Sequence, residues 1–193
     1  MIFFPSYKYM QKVYDEYCKL YENNDIVVQK KNMIEVEYEE FIKKFHINRD
    51  IIAFAVIGGA FSEGIDLTND KLIGVVVIGT GIPQICLERN LIKQFFDNMY
   101  NMGFEFAYMY PGFNKVLQAS GRVIRTEKDI GTVVLIDSRF MQHRYFKLFP
   151  EHWRRFNKVS TINELNNIQK KFWDEKRNMW NDKYNFRGKL KKW

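Results

Sequence analysis

An α/β fold, a parallel sheet with helices on both faces, is what three observations in this 193-residue sequence predict. Short apolar runs of strand length alternate with segments whose apolar residues recur every three or four positions. Two of the runs, Ile51 to Ile57 and Leu72 to Ile78, are apolar almost throughout, as strands buried on both faces must be. Glycine and proline gather just after both runs, where strands give way to loops.

In chain order, Ile2 to Phe4 is a short strand closed by Pro5 and Ser6. Tyr9, Met10, Val13, Tyr14, Tyr17 and Leu20 follow at helical spacing, and Asn23 and Asn24 break the helix. Ile26 to Gln29 is a second strand and Val36 to Phe45 a second helix. The run from Ile51 ends in the turn Gly58 to Gly64, and the run from Leu72 ends at Gly79, Gly81 and Pro83. A long helix from about Gln84 to Asn101 should face Ile85, Leu91, Ile92, Phe95, Phe96 and Met99 inward. Phe104 to Tyr110 fits strand or helix, Pro111 and Gly112 form a turn, and Thr132 to Ile136 is the fifth strand. Alternation of this kind makes parallel crossovers.

Beyond Phe140 the segments become short, basic and aromatic. Thr161 to Trp180 is helical, with Thr161 as N-cap and Glu164 three residues on. Two domains are expected: residues 1–150 for the sheet, and 151–193 as a basic, aromatic-rich helical extension on or next to it. From Arg139 to Trp193 there are 15 Lys and Arg against 5 Asp and Glu, whereas the preceding residues carry 15 against 18. A basic end on a neutral-to-acidic body suits a nucleic-acid partner, and it equally suits a solubilising helix with its aromatics in a core. The same two readings apply to Trp153, Trp173, Trp180 and Trp193.

No apolar run approaches the ~20 residues that span a bilayer, and no basic leader follows Met1, so no membrane partner is expected. Cys18 and Cys86 lack CxxC spacing and suit reduced thiols in a cytoplasmic protein. His46, His143 and His152 have no ligand-spaced partners, and no metal site is expected. Glu37, Glu39 and Glu40 suit a solvated helix face, and Ser120 has no His or Asp partner for nucleophilic catalysis.

The chemistry falls on Asn114 to Arg125. On a continuous helix, Gln118, Gly121, Arg122 and Arg125 share about one third of the circumference, opposite Val116, Leu117, Val123 and Ile124. Two planar, permanently charged forks beside a glycine and an amide can hold a polyphosphate or a carboxylate, and the same face also suits plain solvation. Strand ends supply the companion loops: Pro5 to Tyr7, Gly58 to Asp66 and Gly79 to Pro83 lie where ligands meet an open sheet. Around Gly64, the residues Ser62, Glu63 and Asp66 offer backbone donors and two carboxylates.

These residues carry a resemblance. Phe61-Ser62-Glu63-Gly64-Ile65-Asp66-Leu67, followed by Gln118-Ala-Ser-Gly121-Arg122-Val-Ile-Arg125, resembles motifs V and VI of superfamily 2 helicases, with wording closest to the Rad3/XPD and bacterial DinG group. Phe3-Phe4-Pro5-Ser6-Tyr7 is similar to the start of motif IV, and Gly81-Ile82-Pro83 and Asp137-Ser138-Arg139-Phe140 sit at comparable places. The likeness covers roughly residues 1 to 155.

The resemblance implies a RecA-like second motor domain of an ATP-dependent DNA helicase, moving 5′ to 3′ on single-stranded DNA. Gln118, Arg122 and Arg125 would be its catalytic residues, the arginines acting on charge at the γ-phosphoryl group. Gly64, Asp66, Glu63 and Gly121 would be nucleotide-binding, with Asp66 and Gly64 coupling nucleotide to the cleft. Ser6, Tyr7 and Ser62 would touch single-stranded DNA. The cofactor would be ATP with Mg²⁺, held mainly by an N-terminal motor domain of the same protein, because this chain has no GxxxxGK[ST] and no Asp-Glu-Ala-His. An iron-sulfur cluster, where the family has one, would lie in that other domain as well. The chain alone is expected to be inactive as an ATPase. Three other readings remain: a stand-alone nucleic-acid-binding module without motor activity, an RNA-directed helicase, and a nucleotide enzyme of doubly wound fold, which lacks a GxGxxG after its first strand.

Overall fold

The computed structural model describes residues 1–21, 26–47, 50–59, 61, 71–124 and 129–184, which fall in two compact units, Met1–Leu148 and Phe149–Trp193. The first holds strands β1 (Ile2–Phe4), β2 (Ile26–Val28), β3 (Ile52–Val56), β4 (Gly74–Ile78) and β5 (Thr132–Ile136). They form one sheet in the order β2-β3-β1-β4-β5, and every pairing is parallel. Helices α1 (Tyr7–Leu20), α2 (Glu35–Ile47), α3 (Leu87–Tyr100) and α4 (Tyr110–Ser120) lie on the connections, and α5 (His143–Phe146) follows β5. The predicted α/β architecture is therefore the observed one.

Register explains why the central strand can be so short. Phe3 lies level with Ala55 of β3 and Val77 of β4, while Ile2 lies level with Phe54 and Val76. Successive side chains point to opposite faces, and Phe3 and Phe4 are both fully buried. On one face Phe4, Phe54 and Met10 form a core cluster that Val13 and Tyr14 of α1 close. The chain leaves β1 toward β2, returns through β3, then crosses to β4 on the other side of β1. Connections thus diverge at the carboxyl ends of β1 and β4, the place where an open sheet leaves a crevice.

Backbone contact fixes α4 to that edge. Gly81 has φ +68, and a Cβ there would stand 2.5 Å from the carbonyl oxygen of Gly112. Reciprocally, a Cβ on Gly112 would meet the Thr80 carbonyl oxygen and the Ile82 nitrogen at 2.9 Å. Only two glycines admit this approach. Pro111 and Gly112 are consequently not a turn before the helix but lie in the first turn of α4, which continues directly from the helical stretch before it. Phe104 to Tyr110 resolves as helix too, with a π-helical stretch at Glu105–Met109.

Two further expectations are corrected. Helix α4 ends at Ser120, so Asn114 to Arg125 is not one helix, and Gly121–Val123 is a turn whose amides reach back to Leu117, Ala119 and Ser120. Helix α3 begins at Leu87, not near Gln84, and buries none of its residues: Ile85 before it and Leu91, Phe95 and Met99 along it are exposed, Phe95 at 58%. What holds α3 is its other side. Phe96 stacks on Phe106 at 4.0 Å and 7°, Arg89 donates to the Ala107 carbonyl at 3.3 Å, and the Tyr108 hydroxyl donates to Asn90 at 3.0 Å. The apolar period was real, but it marks an open stripe.

In the second unit, Phe149 meets Trp153 edge-on at 5.8 Å and Phe156 at 5.9 Å. Helix α6 (Ile162–Tyr184) starts as predicted: Thr161 Oγ1 accepts the Glu164 N–H at 3.2 Å, and the Glu164 carboxylate accepts the Ser160 N–H at 2.7 Å.

The Met1 nitrogen donates to the Gly74 carbonyl at 2.8 Å, which ties the start of β1 to β4. Gly81→Ala combines a left-handed backbone with a clash against backbone and should cost at least about 2 kcal/mol, measured by urea unfolding.

Candidate functional site

At the carboxyl end of β1, Ser6 is the N-cap of α1, its Oγ accepting the Tyr9 N–H at 3.2 Å. Tyr7 is the first residue of the helix. Its partner is Gln29, just past the end of β2 and 6% exposed. The Gln29 Oε1 accepts the Val56 N–H at 2.8 Å, and its Nε2 donates to the Tyr7 hydroxyl at 2.9 Å. Because a backbone N–H can only donate, the amide oxygen must face Val56, which leaves the amide nitrogen for Tyr7. The tyrosine oxygen is thereby an acceptor, and its own proton is free to be given elsewhere. Burial raises the Tyr7 pKa, so the proton stays on.

The second group comes down α4. Lys115 lies against Gly58, where an added Cβ would stand 2.8 Å from its Cδ and 2.9 Å from its Nζ, and Gly58 has φ +75. Gln118, three residues on, is exposed, Gly121 is exposed, and Arg122 is half-buried. Lys115 and Gln118, three residues apart on α4, share one side of the helix. Arg122 follows in the turn after the helix end, its N–H donating to the Ala119 carbonyl at 3.4 Å.

Phe61, the first residue after the β3 turn that bears on the site, is 1% exposed. It stacks on Tyr38 of α2 at 4.7 Å and 18°, and packs on Phe41 at 4.1 Å. Burial raises the Tyr38 pKa above 10.0, and the positive charge of Arg122 works against that rise. Phe61 and Arg122, some sixty residues apart in the chain, thus converge on one tyrosine. Neither Tyr38 nor Lys115 nor Gln29 was singled out by sequence. Lys115 was legible from its spacing to Gln118, whereas Gln29 and Tyr38 carry no periodic or motif signal.

Ser62, Glu63, Gly64, Asp66 and Arg125 lie outside the described residues. Asp137 and Arg139 pair closely, with Arg139 Nη2 donating to Asp137 Oδ2 at 2.7 Å and Nε to Oδ1 at 2.9 Å. Asp137 also caps the 3₁₀ turn at Ser138–Met141, and these bonds hold its pKa below the ordinary carboxylate value. Among the described residues no group of three or more His, Cys, Asp or Glu is placed to hold a metal ion, and no helix is long and apolar enough to cross a membrane.

The Tyr38 phenol, followed by NMR with labelled tyrosine rings, should titrate above 10.0. In Arg122→Gln it should titrate higher still, because the opposing charge is gone. An unchanged titration would separate the two side chains.

Comparison with known proteins gives a consistent result. The model of the helicase C-terminal domain family matches residues 1–156. The ATP-dependent DNA helicase DinG of Photobacterium profundum is 29% identical over 163 residues, covering 82% of this chain and 23% of its own length. The ATP-dependent DNA helicase chl-1 of Caenorhabditis elegans is 29% identical over 147 residues, covering 72% of this chain and 18% of its own. A regulator of telomere elongation helicase 1 homolog from Drosophila yakuba is also 29% identical, over 155 residues and 16% of its length. Two solved XPD structures, one apo and one described as the XPD helicase, each match with a TM-score of 0.60 and 25% identity over 76% of this chain. They are covered to 29% and 26% of their length, so the chain spans less than a third of the proteins it matches. The sheet is RecA-like, and the chain belongs to the helicase C-terminal domain family of the Rad3/XPD and DinG type of superfamily 2 helicases.

Proposed function

We propose that this chain supplies the second motor domain of an ATP-dependent DNA helicase and acts on ATP only together with a first motor domain of the same protein. The observation that carries the reading is the match of residues 1–156 to the helicase C-terminal domain family; in the fold, Phe61 of motif V stacks on Tyr38, on which the charge of the motif VI residue Arg122 also acts. In such a protein a change at the motif VI side chain is felt at the base of the motif V loop.

The residues present fit one flank of a nucleotide. Arg122 is a permanent cation and Gln118 an exposed amide four residues before it, and both suit anionic phosphate oxygens. The sequence has no phosphate-cradling loop to hold a triphosphate by itself. ATP with Mg²⁺, when bound, supplies a γ-phosphoryl group that is transferred to water. Arg122 and Arg125 stabilise negative charge that grows on that group, and Gln118 orients against it by hydrogen bonding. Gly64 and Asp66 couple the nucleotide to the cleft, Gly121 lets the phosphates approach, and Glu63 holds the loop. Ser6, Tyr7 and Ser62 contact the phosphate backbone of single-stranded DNA, along which the whole protein moves 5′ to 3′.

The pure 193-residue chain should show no multiple-turnover ATP hydrolysis. In the full-length protein, Arg122→Ala combined with Arg125→Ala should lower DNA-stimulated hydrolysis by ~10³-fold or more, with single-stranded DNA binding largely kept. Hydrolysis retained by the double variant, or turnover by the isolated chain, would refute the assignment.

A further inference from the structure

The chain leaving β3 is gripped by two helices before it enters the rest of motif V. Gly58 has φ +75, a left-handed conformation that favours glycine. Lys115 of α4 takes the space that a side chain at position 58 would fill: a Cβ there would stand 2.8 Å from Lys115 Cδ, 2.9 Å from Cε and 2.9 Å from Nζ. Three consecutive atoms at nearly one distance mean that the lysine tail lies flat across the glycine. Gly59, next in the chain, donates its N–H to the Val56 carbonyl at 3.3 Å, and a Cβ on it would meet Gln29 Nε2 at 3.2 Å. Phe61 is then held by α2, stacked on Tyr38 at 4.7 Å and packed on Phe41 at 4.1 Å.

We infer that Lys115 is a positioning residue, whose tail locks the entry of the motif V loop to the helix that leads into motif VI, so that the two motifs meet a nucleotide in fixed relation. This rests on the reading of the chain as a second motor domain, and it adds a residue outside motifs IV, V and VI. Helix α4 is suited to the task. Its start is fixed by the approach of Gly81 to Gly112, Lys115 shares a side with Gln118, and Arg122 follows in the turn at its end. With Gly58 held by α4 and Phe61 by α2, the residues beyond Phe61 set out from a fixed point. Support of this kind matters because catalytic groups lose most of their effect when displaced by about 1 Å. The contact is packing along a half-buried tail, so the length and shape of the side chain should count for more than its charge.

The test uses the full-length protein and reads the factor by which single-stranded oligo-dT stimulates ATP hydrolysis, a ratio from which any unfolded fraction cancels. Lys115→Ala should lower that factor by about 10-fold, within the range of coupling between sites. Lys115→Met keeps a long unbranched tail without the charge and should hold the factor to within about 2-fold of the wild type. The affinity for oligo-dT should be the same in both variants and the wild type. An unchanged factor in Lys115→Ala would overturn the role of Lys115 and leave the motor reading standing. Equal losses in Lys115→Ala and Lys115→Met would also overturn it, because the charge and not the tail would then be acting. Loss of oligo-dT affinity in both variants would do the same, by making Lys115 a direct contact to the oligonucleotide. Absence of stimulated hydrolysis in the wild-type protein would overturn the motor reading and the role of Lys115 with it.

Discussion

The close approach of Gly81 to Gly112 sets the geometry on which the rest of the site depends. It brings two backbones to a distance no Cβ would allow and thereby fixes where α4 begins relative to the carboxyl end of β4. Once that start is fixed, the helical repeat places the residues of α4: Lys115 arrives against Gly58 and Gln118 emerges exposed. The turn that follows carries Arg122, whose charge acts on Tyr38. A site made from one rigid helix can position charge accurately without a dense network of hydrogen bonds around each group.

The sheet does comparable work for the other group. Central strand β1 has three residues, and all its neighbours are parallel, so its carboxyl end is flanked by the ends of β3 and β4 at the same height. Ser6 and Tyr7 begin α1 directly from that end. Gln29 arrives from β2 and takes hold of β3 at Val56. Three strands that are far apart in sequence therefore define one hydroxyl group's surroundings. Lys8, Lys30 and Lys31 lie around Tyr7, and the aromatic core cluster of Phe4 and Phe54 packs against it.

Much of this was legible in the sequence, and the exceptions have physical causes. Buried parallel strands announce themselves because both faces must be apolar, and β3 and β4 appear where the runs from Ile51 and Leu72 stand. Motif order and wording pointed to Ser6, Gln118 and Arg122 as candidates, and the structure puts Ser6 at the start of α1, Gln118 on α4 and Arg122 in the turn after it. Boundaries were less legible: Pro111 and Gly112 look like a turn because their usual role is to make one, and only the contact with Gly81 shows that they serve helix packing. Helix α3 shows the limit of periodicity. Leu91, Phe95 and Met99 mark one side of a helix, yet periodicity is silent on whether anything covers that side, and here Phe96 and Arg89 hold the helix from the other. Gln29 and Tyr38 act through partners distant in sequence, and no local pattern encodes such pairs.

Gln29 also carries a lesson about what the chain can tolerate. Glutamate at that position has nearly the same shape, and its carboxylate would still accept the Val56 N–H. Both its oxygens, however, are acceptors. Tyr7 would then have to turn its proton inward, presenting only lone pairs to the surface beside a new negative charge. An isosteric change inside the sheet would reverse the hydrogen-bonding sense of the surface above it, putting an acceptor where a donor had been while leaving the fold's outline untouched.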